Sequence, residues 1–454
     1  MTREFNWEQP QTPARPYSTV PGVAWPRVVD GPAATMEVLN AQLRESEQAA
    51  PDVISALQKE QIDLLAAHAY ANSAFWRARL DAVAFGMDAD WFTKLPLLTR
   101  GEAKAAGSAL FALPVPPHHG GIHELLTSGS TGTPMIIKKT DLALLFWRAI
   151  TMRDSLWHRR DLSGKLAVVR VGAAPGAIDS WGDAYEGYAT GPCVVFDARS
   201  DVDTQLDWLQ AEQPDVLLTH ASNLRALALR SIELNVSLPR LREARSFSEQ
   251  LAADLRDKVR EAWNVPLSDL YSANEVGYVA LQCPHSGLYH VQAEDVWVEI
   301  IDDDGRLCGA GESGRVVVTS LHNFAMPLLR YELGDYATVG GPCSCGRGLP
   351  TIERILGRTR NMLRLPGGRA AFPGFPLGPL SRTPAIRELK MIQHSLADIE
   401  LHLVLERPLT GDEEATLIDA VCARLQHPFR VTLTPVPEIV RSSYKREDFE
   451  CRMT

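Results

Sequence analysis

Residues 166–171 read LAVVRV, and three more short apolar runs follow: CVVF at 193–196, VLLT at 216–219 and LSDLY at 267–271. The segments between these runs have helical periodicity, at 204–213, 223–234 and 251–263. Strands that alternate with helices indicate a parallel sheet whose strands are joined by crossover helices. The stretch from Lys165 to Tyr271 therefore predicts an α/β fold.

The pattern changes after Leu281. Val296, Val298 and Ile300 recur at every second position, and the apolar run 316–319 follows the turn sequence DDG at 303–305. Alternation of this kind is typical of strands with one buried face, and Asp-Gly favours a tight turn. We therefore predict antiparallel strands or a small barrel, as a β subregion of the same large domain.

The two ends of the chain differ from this middle part. Residues 1–34 are rich in proline and lack periodicity, which predicts an extended arm, and 36–83 show helical spacing. Prolines and glycines crowd 366–379, after which strand and helix patterns resume for a final α+β module of about 95 residues. We predict three parts with a main boundary near Gly357: 1–34, 35–356 and 357–454.

The composition excludes several classes of protein. The 454 residues are 45% hydrophobic and include 46 basic and 56 acidic residues, for a formal net charge of −10. An acidic chain is unsuited to broad binding of nucleic acid or of an anionic membrane. The N-terminus lacks the apolar core of a signal peptide, and no apolar run approaches the roughly 20 residues of a spanning helix. We expect a cytoplasmic protein with neither nucleic acid nor membrane as partner.

The stretch 127–134 reads TSGSTGTP and combines hydroxyl residues with two glycines. Backbone N–H groups and hydroxyls in such a loop can surround a phosphate, because glycine adopts the positive φ that the loop requires. The loop is not the Walker type, since no Gly-Lys-Ser/Thr follows. Taken alone, the same composition is equally compatible with a surface linker.

With its neighbours, this loop resembles the phosphate loop of the adenylate-forming enzymes, and specifically of their phenylacetate–coenzyme A ligase branch. The stretch 271–277, YSANEVG, resembles the family's nucleotide segment, which implies that Tyr271 lies against adenine and that Glu275 binds Mg²⁺. Asn274 stands where the family usually has threonine. The stretch 330–335, RYELGD, resembles the family's ribose-binding segment, so Asp335 would accept from both ribose hydroxyls. A carboxylate suits this role because its two oxygens can accept from neighbouring donors.

The resemblance continues into the C-terminal part. Gly357-Arg358 resembles the hinge about which the small domain turns, although 359–361 lack the customary acidic residue. The stretch 441–445, RSSYK, resembles the segment whose lysine assists adenylation, with Tyr444 in place of glycine. The resemblance implies catalytic roles for Lys445, Glu275 and Arg358. The acyl pocket would include Gly187, Tyr188 and Ala189. Nucleotide-binding roles are implied for Thr127, Ser128, Gly129, Ser130, Thr131, Gly132, Tyr271, Ser272, Asn274, Asp335 and Arg358.

Three of the seven cysteines, together with nearby histidines, suggest a metal site. Cys283 precedes His285 and His290, and Cys343 and Cys345 form a Cys-x-Cys pair. Three thiolates and one imidazole suit tetrahedral Zn²⁺, and a complete set of protein ligands is typical of a structural site. Buried reduced cysteines are the alternative. His285 competes with His290 as the fourth ligand; we favour His290, whose segment resembles that of zinc-containing members of the branch.

Together these features imply an ATP- and Mg²⁺-dependent acid–thiol ligase that forms an acyl-adenylate and transfers the acyl group to coenzyme A. The branch implies an aryl or arylacetic acid as substrate, and analogy with relatives suggests a homodimer. An amide-forming ligase, in which an amine or amino acid is the acceptor, is the main alternative. A non-catalytic zinc-containing homologue is another, because Asn274, Arg360 and Tyr444 depart from the family pattern.

Overall fold

The computed structural model describes residues 31–126, 135–252, 254–358, 362–366, 370–371, 385–425, 427–439 and 449–453. Helices and strands are both abundant, so the predicted α/β class is confirmed. The helices are α1 (Gly31–Ser46), α2 (Pro51–Asn72), α3 (Ala74–Asp81), α4 (Trp91–Lys94), α5 (Arg100–Ala106), α6 (Asp141–Trp157), α7 (Val202–Glu212), α8 (Ala221–Leu234), α9 (Leu255–Trp263) and α10 (Gly411–Leu425). Within the described residues, no helix is both long enough and apolar enough to cross a membrane.

The strands of the first half are β1 (Ile122–Leu126), β2 (Ile136–Thr140), β3 (Leu166–Arg170), β4 (Gly176–Ile178), β5 (Cys193–Asp197), β6 (Val216–His220), β7 (Glu243–Phe247), β8 (Leu267–Ala273), β9 (Gly277–Gln282) and β10 (Tyr289–Val291). Those of the second half are β11 (Val296–Ile301), β12 (Ser313–Ser320), β13 (Tyr331–Val339), β14 (Thr351–Arg358), β15 (Leu363–Arg364), β16 (Ala370–Ala371), β17 (Ile386–Gln393), β18 (Asp398–Leu405), β19 (Arg430–Pro435) and β20 (Phe449–Cys451).

Twelve strands form one sheet in the order β11-β12-β13-β14-β10-β9-β8-β7-β6-β3-β5-β4. The pairs from β5 through β3, β6 and β7 to β8 are parallel, as the strand–helix alternation predicts. From β8 onward the pairs are antiparallel, so antiparallel strands are the correct alternative for the region after Leu281. The change of direction falls at β8, which carries Tyr271 close to its C-terminal end.

Helices cover both parts of this sheet. Trp76 of α3 is fully buried with Tyr331 of β13, and its indole nitrogen donates to the Pro327 carbonyl at 3.1 Å. On the parallel part, Leu224 of α8 and Val259 of α9 are likewise fully buried. The short helix α5 begins after a capping box between Thr99 and Glu102, which fixes its first turn.

The N-terminal prediction is wrong for residues 31–34, because α1 begins at Gly31. Met36 and Leu43 of this helix are 2% and 3% exposed, and α1 packs on α6. That burial, together with the tolerance of a first helical turn for Pro32, explains why the helix begins earlier than its composition suggests. Residues 1–30 of the predicted arm lie outside the described residues.

The C-terminal part has a sheet and a core of its own. Strands β19-β18-β17-β20 form a four-stranded sheet, and Leu417 and Val421 of α10 pack with Met391 and Leu401 of this sheet. Strand β14 runs to Arg358, so the hinge dipeptide Gly357-Arg358 is still part of the large sheet. The division of the chain near Gly357 stays a prediction.

Candidate active site

Tyr271 lies where the sheet changes from parallel to antiparallel pairing. Its side chain is buried, and its hydroxyl donates a hydrogen bond of 2.8 Å to Oδ2 of Asp335. Burial and the Asp335 carboxylate raise the pKa of Tyr271 well above its usual value. The hydroxyl therefore stays protonated and remains a donor to Asp335 at neutral pH.

Asp335 and Arg358 face each other across the ladder between β13 and β14. Nε of Arg358 lies 2.9 Å from Oδ1 of Asp335, so the two carboxylate oxygens contact different partners. The pKa of Arg358 is raised chiefly by Asp335 and further by Glu275, while burial opposes this shift. The structure thus brings three of the predicted nucleotide-binding residues into one contact group.

Glu275 lies in the turn between β8 and β9 and is only 6% exposed. Its Oε1 accepts a hydrogen bond of 2.8 Å from Nη1 of Arg100, the first residue of α5. The interaction with Arg100 leaves Oε2 as the atom that can bind a cation. Ser272 is half-buried in β8, and Asn274 is exposed in the turn.

Several predicted site residues lie outside the described residues. These are the phosphate loop with Thr127, Ser128, Gly129, Ser130, Thr131 and Gly132, the hinge residues 359–361, and the segment with Lys445. The strands that flank the loop are described: Leu126 at the end of β1 pairs with Ile136 at the start of β2. The two ends of the loop are therefore adjacent.

The predicted acyl-pocket residues lie in a different part of the large domain. The Tyr188 hydroxyl accepts from Nδ2 of Asn40 in α1 at 3.4 Å, and Ala189 is exposed. Gly187 has a φ of +87°, and a Cβ there would lie 2.6 Å from Cβ of Ala33, so this contact with α1 requires glycine. These contacts do not connect the segment to Tyr271, Asp335 or Glu275, and its acyl-binding role stays a prediction.

The cysteine and histidine residues form a second site. The ligand atoms of Cys283, His290, Cys343 and Cys345 all lie within 4.8 Å of one another. Cys283 follows β9, His290 belongs to β10, and the Cys-x-Cys pair lies between β13 and β14. The imidazole in the group is that of His290, while His285 is exposed outside it.

The distances within this cluster fit a tetrahedral metal. The Sγ atoms of Cys283 and Cys343 are 3.7 Å apart, and Nε2 of His290 is 3.2 Å from Sγ of Cys345. Zinc–sulfur bonds of about 2.3 Å place two tetrahedral sulfur ligands about 3.8 Å apart. Burial disfavours the Cys283 thiolate, but hydrogen bonds from His290 and from the backbone of Ser286 and His285 bring its pKa to about 5.

Comparison with known proteins agrees with these features. A phenylacetate–coenzyme A ligase of Thermus thermophilus is 27% identical over 336 residues, which cover 71% of this chain and 74% of the relative. The corresponding Pseudomonas putida ligase is 25% identical over 398 residues, or 85% and 86% of the two chains. A solved 2-hydroxyisobutyryl-CoA ligase with a bound acyl-AMP superposes with a TM-score of 0.71 at 18% identity, covering 89% of this chain and 91% of that chain. The chain has the fold of the adenylate-forming ligases.

The predicted resemblance to the adenylate-forming ligases is therefore confirmed, although no family model matches the chain. An anthranilate–CoA ligase with bound anthranoyl-AMP superposes with a TM-score of 0.53 at 19% identity, over 71% of this chain and 64% of that chain. The named relatives are all acid–thiol ligases, in agreement with the predicted enzyme class. Sequence reasoning missed Arg100, because nothing in the sequence around this arginine identifies Glu275 as its partner.

Proposed function

We propose that this protein is an AMP-forming acid–thiol ligase that adenylates a carboxylic acid and transfers the acyl group to coenzyme A. The observation that carries this proposal is the contact group of Tyr271, Asp335 and Arg358, with Glu275 and Arg100 beside it. A carboxylate is a poor electrophile, and its mixed anhydride with AMP has a good leaving group. Cations that neutralise charge on the transferring phosphorus assist formation of this anhydride.

Each residue of the group has a chemical role in this proposal. Asp335 accepts from the ribose hydroxyls, and Tyr271 lies against adenine while its hydroxyl orients the Asp335 carboxylate. Arg358 supplies positive charge to nucleotide oxygens, and Glu275 would bind Mg²⁺, which would neutralise charge on the phosphates. The loop Thr127–Gly132, with Ser272 and Asn274, contacts the phosphates, and Lys445 assists adenylation.

The test of adenylation is exchange of labelled pyrophosphate into ATP with a panel of aryl, arylacetic and aliphatic acids, in the absence of coenzyme A and amines. We expect exchange with an aryl or arylacetic acid. Exchange with none, in folded protein supplied with Mg²⁺, contradicts adenylation and favours the non-catalytic alternative.

The acyl acceptor needs a separate assay. The named relatives are coenzyme A ligases, which supports a thioester product over an amide. Once an acid has been found, the product is analysed by mass spectrometry with coenzyme A alone and with amino acids alone. Formation of an amide without a thioester contradicts the proposed acceptor.

The Asp335→Asn substitution tests the nucleotide side of the site. The amide keeps one acceptor oxygen but loses the charge, and it leaves Arg358 without its carboxylate partner. Hydrogen bonds to charged groups contribute about 1.5–3 kcal/mol, so we expect KM for ATP to rise by about ten- to a hundredfold in the exchange assay.

Asp303→Asn is the matched control. Like Asp335, Asp303 accepts a hydrogen bond from a tyrosine, in this case from Tyr336 of β13 at 2.9 Å. We expect KM for ATP to change less than about twofold in this control. An equal rise of KM for ATP in both variants would show that Asp335 does not bind the nucleotide.

We also propose a structural Zn²⁺ at Cys283, His290, Cys343 and Cys345. The support is the distances given above, which bring Nε2 of His290 and the three sulfur atoms together. Four protein ligands leave no open position, so the ion would hold the ends of β9 and β10 to the loop before β14.

The predicted cytoplasmic location and the predicted homodimer also remain proposals. Size-exclusion chromatography with light scattering tests the dimer.

The Cys343→Ser substitution tests the zinc site. We expect about one zinc per chain in the native protein, far less in Cys343→Ser, and a lower melting temperature for the variant. Cys422→Ser is the control, since Cys422 is half-buried and donates only to the Phe429 carbonyl. Equal metal content in both variants, or no zinc in protein purified without chelators, contradicts the proposal.

A further inference from the structure

Lys139 is a buried cation with no partner of its own. It lies in β2, close after the predicted phosphate loop, and is 7% exposed. Within the described part of the chain, its ammonium has neither a hydrogen bond nor an ion pair; its nearest charged neighbours are Asp295 and Glu275. An unpaired buried charge is unfavourable, so a lysine here indicates a group that is bound when the protein works.

The position of Lys139 places it next to the proposed active site. Its Nζ lies 3.8 Å from where a Cβ would stand on Gly277, two residues after Glu275. The charged neighbours of Lys139 are Asp295 and Glu275, whereas those of Arg358 are Asp335 and Glu275. Glu275 is therefore a charged neighbour of both Lys139 and Arg358.

The surroundings of Lys139 combine polar and apolar groups. Asp295 is 8% exposed, and its carboxylate has no hydrogen bond among the described residues. Asn323 donates to the Lys138 carbonyl at 2.8 Å, and its own Oδ1 is buried without a hydrogen-bond partner in the part of the chain that the structure describes. Next to Asn323, the His322 ring stacks on Phe146 with centroids 3.8 Å apart.

Helix α6 begins two residues after Lys139 and packs on β2, the strand of Lys139. Its apolar residues 142–147 are only half-buried. A buried cation on a strand that such a helix covers suits a ligand with an apolar body and a polar substituent.

We propose that Lys139 donates a hydrogen bond to a second oxygen of the carboxylic acid substrate, either a hydroxyl or a second carboxylate, and so determines which acids are adenylated. The inference rests on the proposed function and adds the chemical class of its substrate. Lys139 does not belong to the contact group of Tyr271, Asp335 and Arg358, so its ammonium is available to an oxygen other than those of the reacting carboxylate. Burial lowers the pKa of Lys139, but Asp295 and Glu275 oppose this shift and favour the charged form.

The test compares acids that share one ring and differ in a hydrogen, a hydroxyl or a second carboxylate, for example phenylacetate and its ring-substituted derivatives. In pyrophosphate exchange, we expect the native protein to prefer a substituted acid by about tenfold or more in kcat/KM. Lys139→Met, which keeps the length of the side chain without its charge, should lose that preference while changing kcat/KM for the unsubstituted acid less than about threefold. The acid whose kcat/KM falls most in Lys139→Met identifies the substituent as hydroxyl or carboxylate.

The neighbouring lysine provides the control. Lys138 lies on the same strand, but its ammonium pairs with the exposed Glu124 at 2.7 Å, so Lys138→Met should leave the preference unchanged. The shift in melting temperature on adding each acid measures binding without turnover and also shows that the variants fold. The inference would be overturned if Lys139→Met lowered kcat/KM equally for every acid, or if the native protein did not prefer a substituted acid. Either result would leave adenylation established. Exchange with no acid at all would overturn the proposed function, and with it this inference.

Discussion

Replacement of Glu275 by glutamine is expected to lower the rate of pyrophosphate exchange by at least about a hundredfold. The amide removes the negative charge proposed to hold Mg²⁺, and with it the charge of the group that accepts a hydrogen bond of 2.8 Å from Arg100. Loss of one group that stabilises charge in a transition state typically costs two to three orders of magnitude. The measurement is kcat at saturating acid and ATP over a range of Mg²⁺ concentrations.

Glu332→Gln is the matched control for this substitution. Glu332 also accepts a hydrogen bond of 2.8 Å from an arginine, Arg315, and within the described residues it makes no hydrogen bond or ion pair with Tyr271, Asp335 or Arg358. We expect the control to keep its exchange rate within about twofold. Should Glu275→Gln retain native kcat at every Mg²⁺ concentration, the proposed role of Glu275 would be incorrect.

The large sheet could be predicted from sequence because its signals are local. Each run between residues 166 and 271 is apolar, short and separated from the next by a helical segment, which is the pattern of a parallel sheet. The early start of α1 at Gly31 was not predictable in the same way, because the burial of Met36 depends on α6, more than a hundred positions away. Propensity is a weak guide where tertiary packing decides where a helix begins.

The candidate site, too, could be predicted from sequence only in part. Tyr271, Glu275 and Asp335 were assigned because each stands in a recognisable segment, whereas the partners of these residues come from distant segments. Arg100 is 175 positions from Glu275, and its approach depends on the capping box that starts α5. Lys139 was missed because a lysine in a short strand gives no sign in sequence that its ammonium is buried.

The zinc cluster could be predicted from sequence in part. The residue types and the Cys-x-Cys spacing suggested a metal site, but His285 and His290 could not be separated by spacing alone. The ladders that pair β10 with both β9 and β14 bring His290 next to Cys345, 55 positions away, and leave His285 exposed in the preceding turn. The choice of ligand thus depends on strand register, which is a property of the folded sheet.

A buried ion-pair network beneath the site leads to the second prediction of large effect. Arg160, which follows α6, makes two hydrogen bonds to Glu243 of β7 at 2.7 and 2.8 Å and one to Asp154 at 2.6 Å. Burial alone would raise the pKa of Asp154, but Arg160 and Arg245 outweigh it and lower the pKa to about 2. Because the folded pKa lies below the unfolded value of about 3.9, this stabilisation is present at neutral pH and is lost only as the pH falls below about 4.

Arg160→Met is expected to lower the free energy of unfolding by about 3–5 kcal/mol at neutral pH, because the buried Glu243 carboxylate loses the cation that makes two hydrogen bonds to it, while Asp154 keeps Arg245. The melting temperature and the urea midpoint measure this loss.

Arg230→Met is the control. Arg230 also contacts two carboxylates, Asp203 and Glu233, but its side chain is 37% exposed, so water replaces the lost contacts at little cost. The double variant Arg160→Met/Glu243→Gln should regain much of the stability, because the orphaned charge is then absent. If Arg160→Met were no less stable than the control, or if the double variant were less stable than Arg160→Met, an uncompensated buried charge could not be the cause.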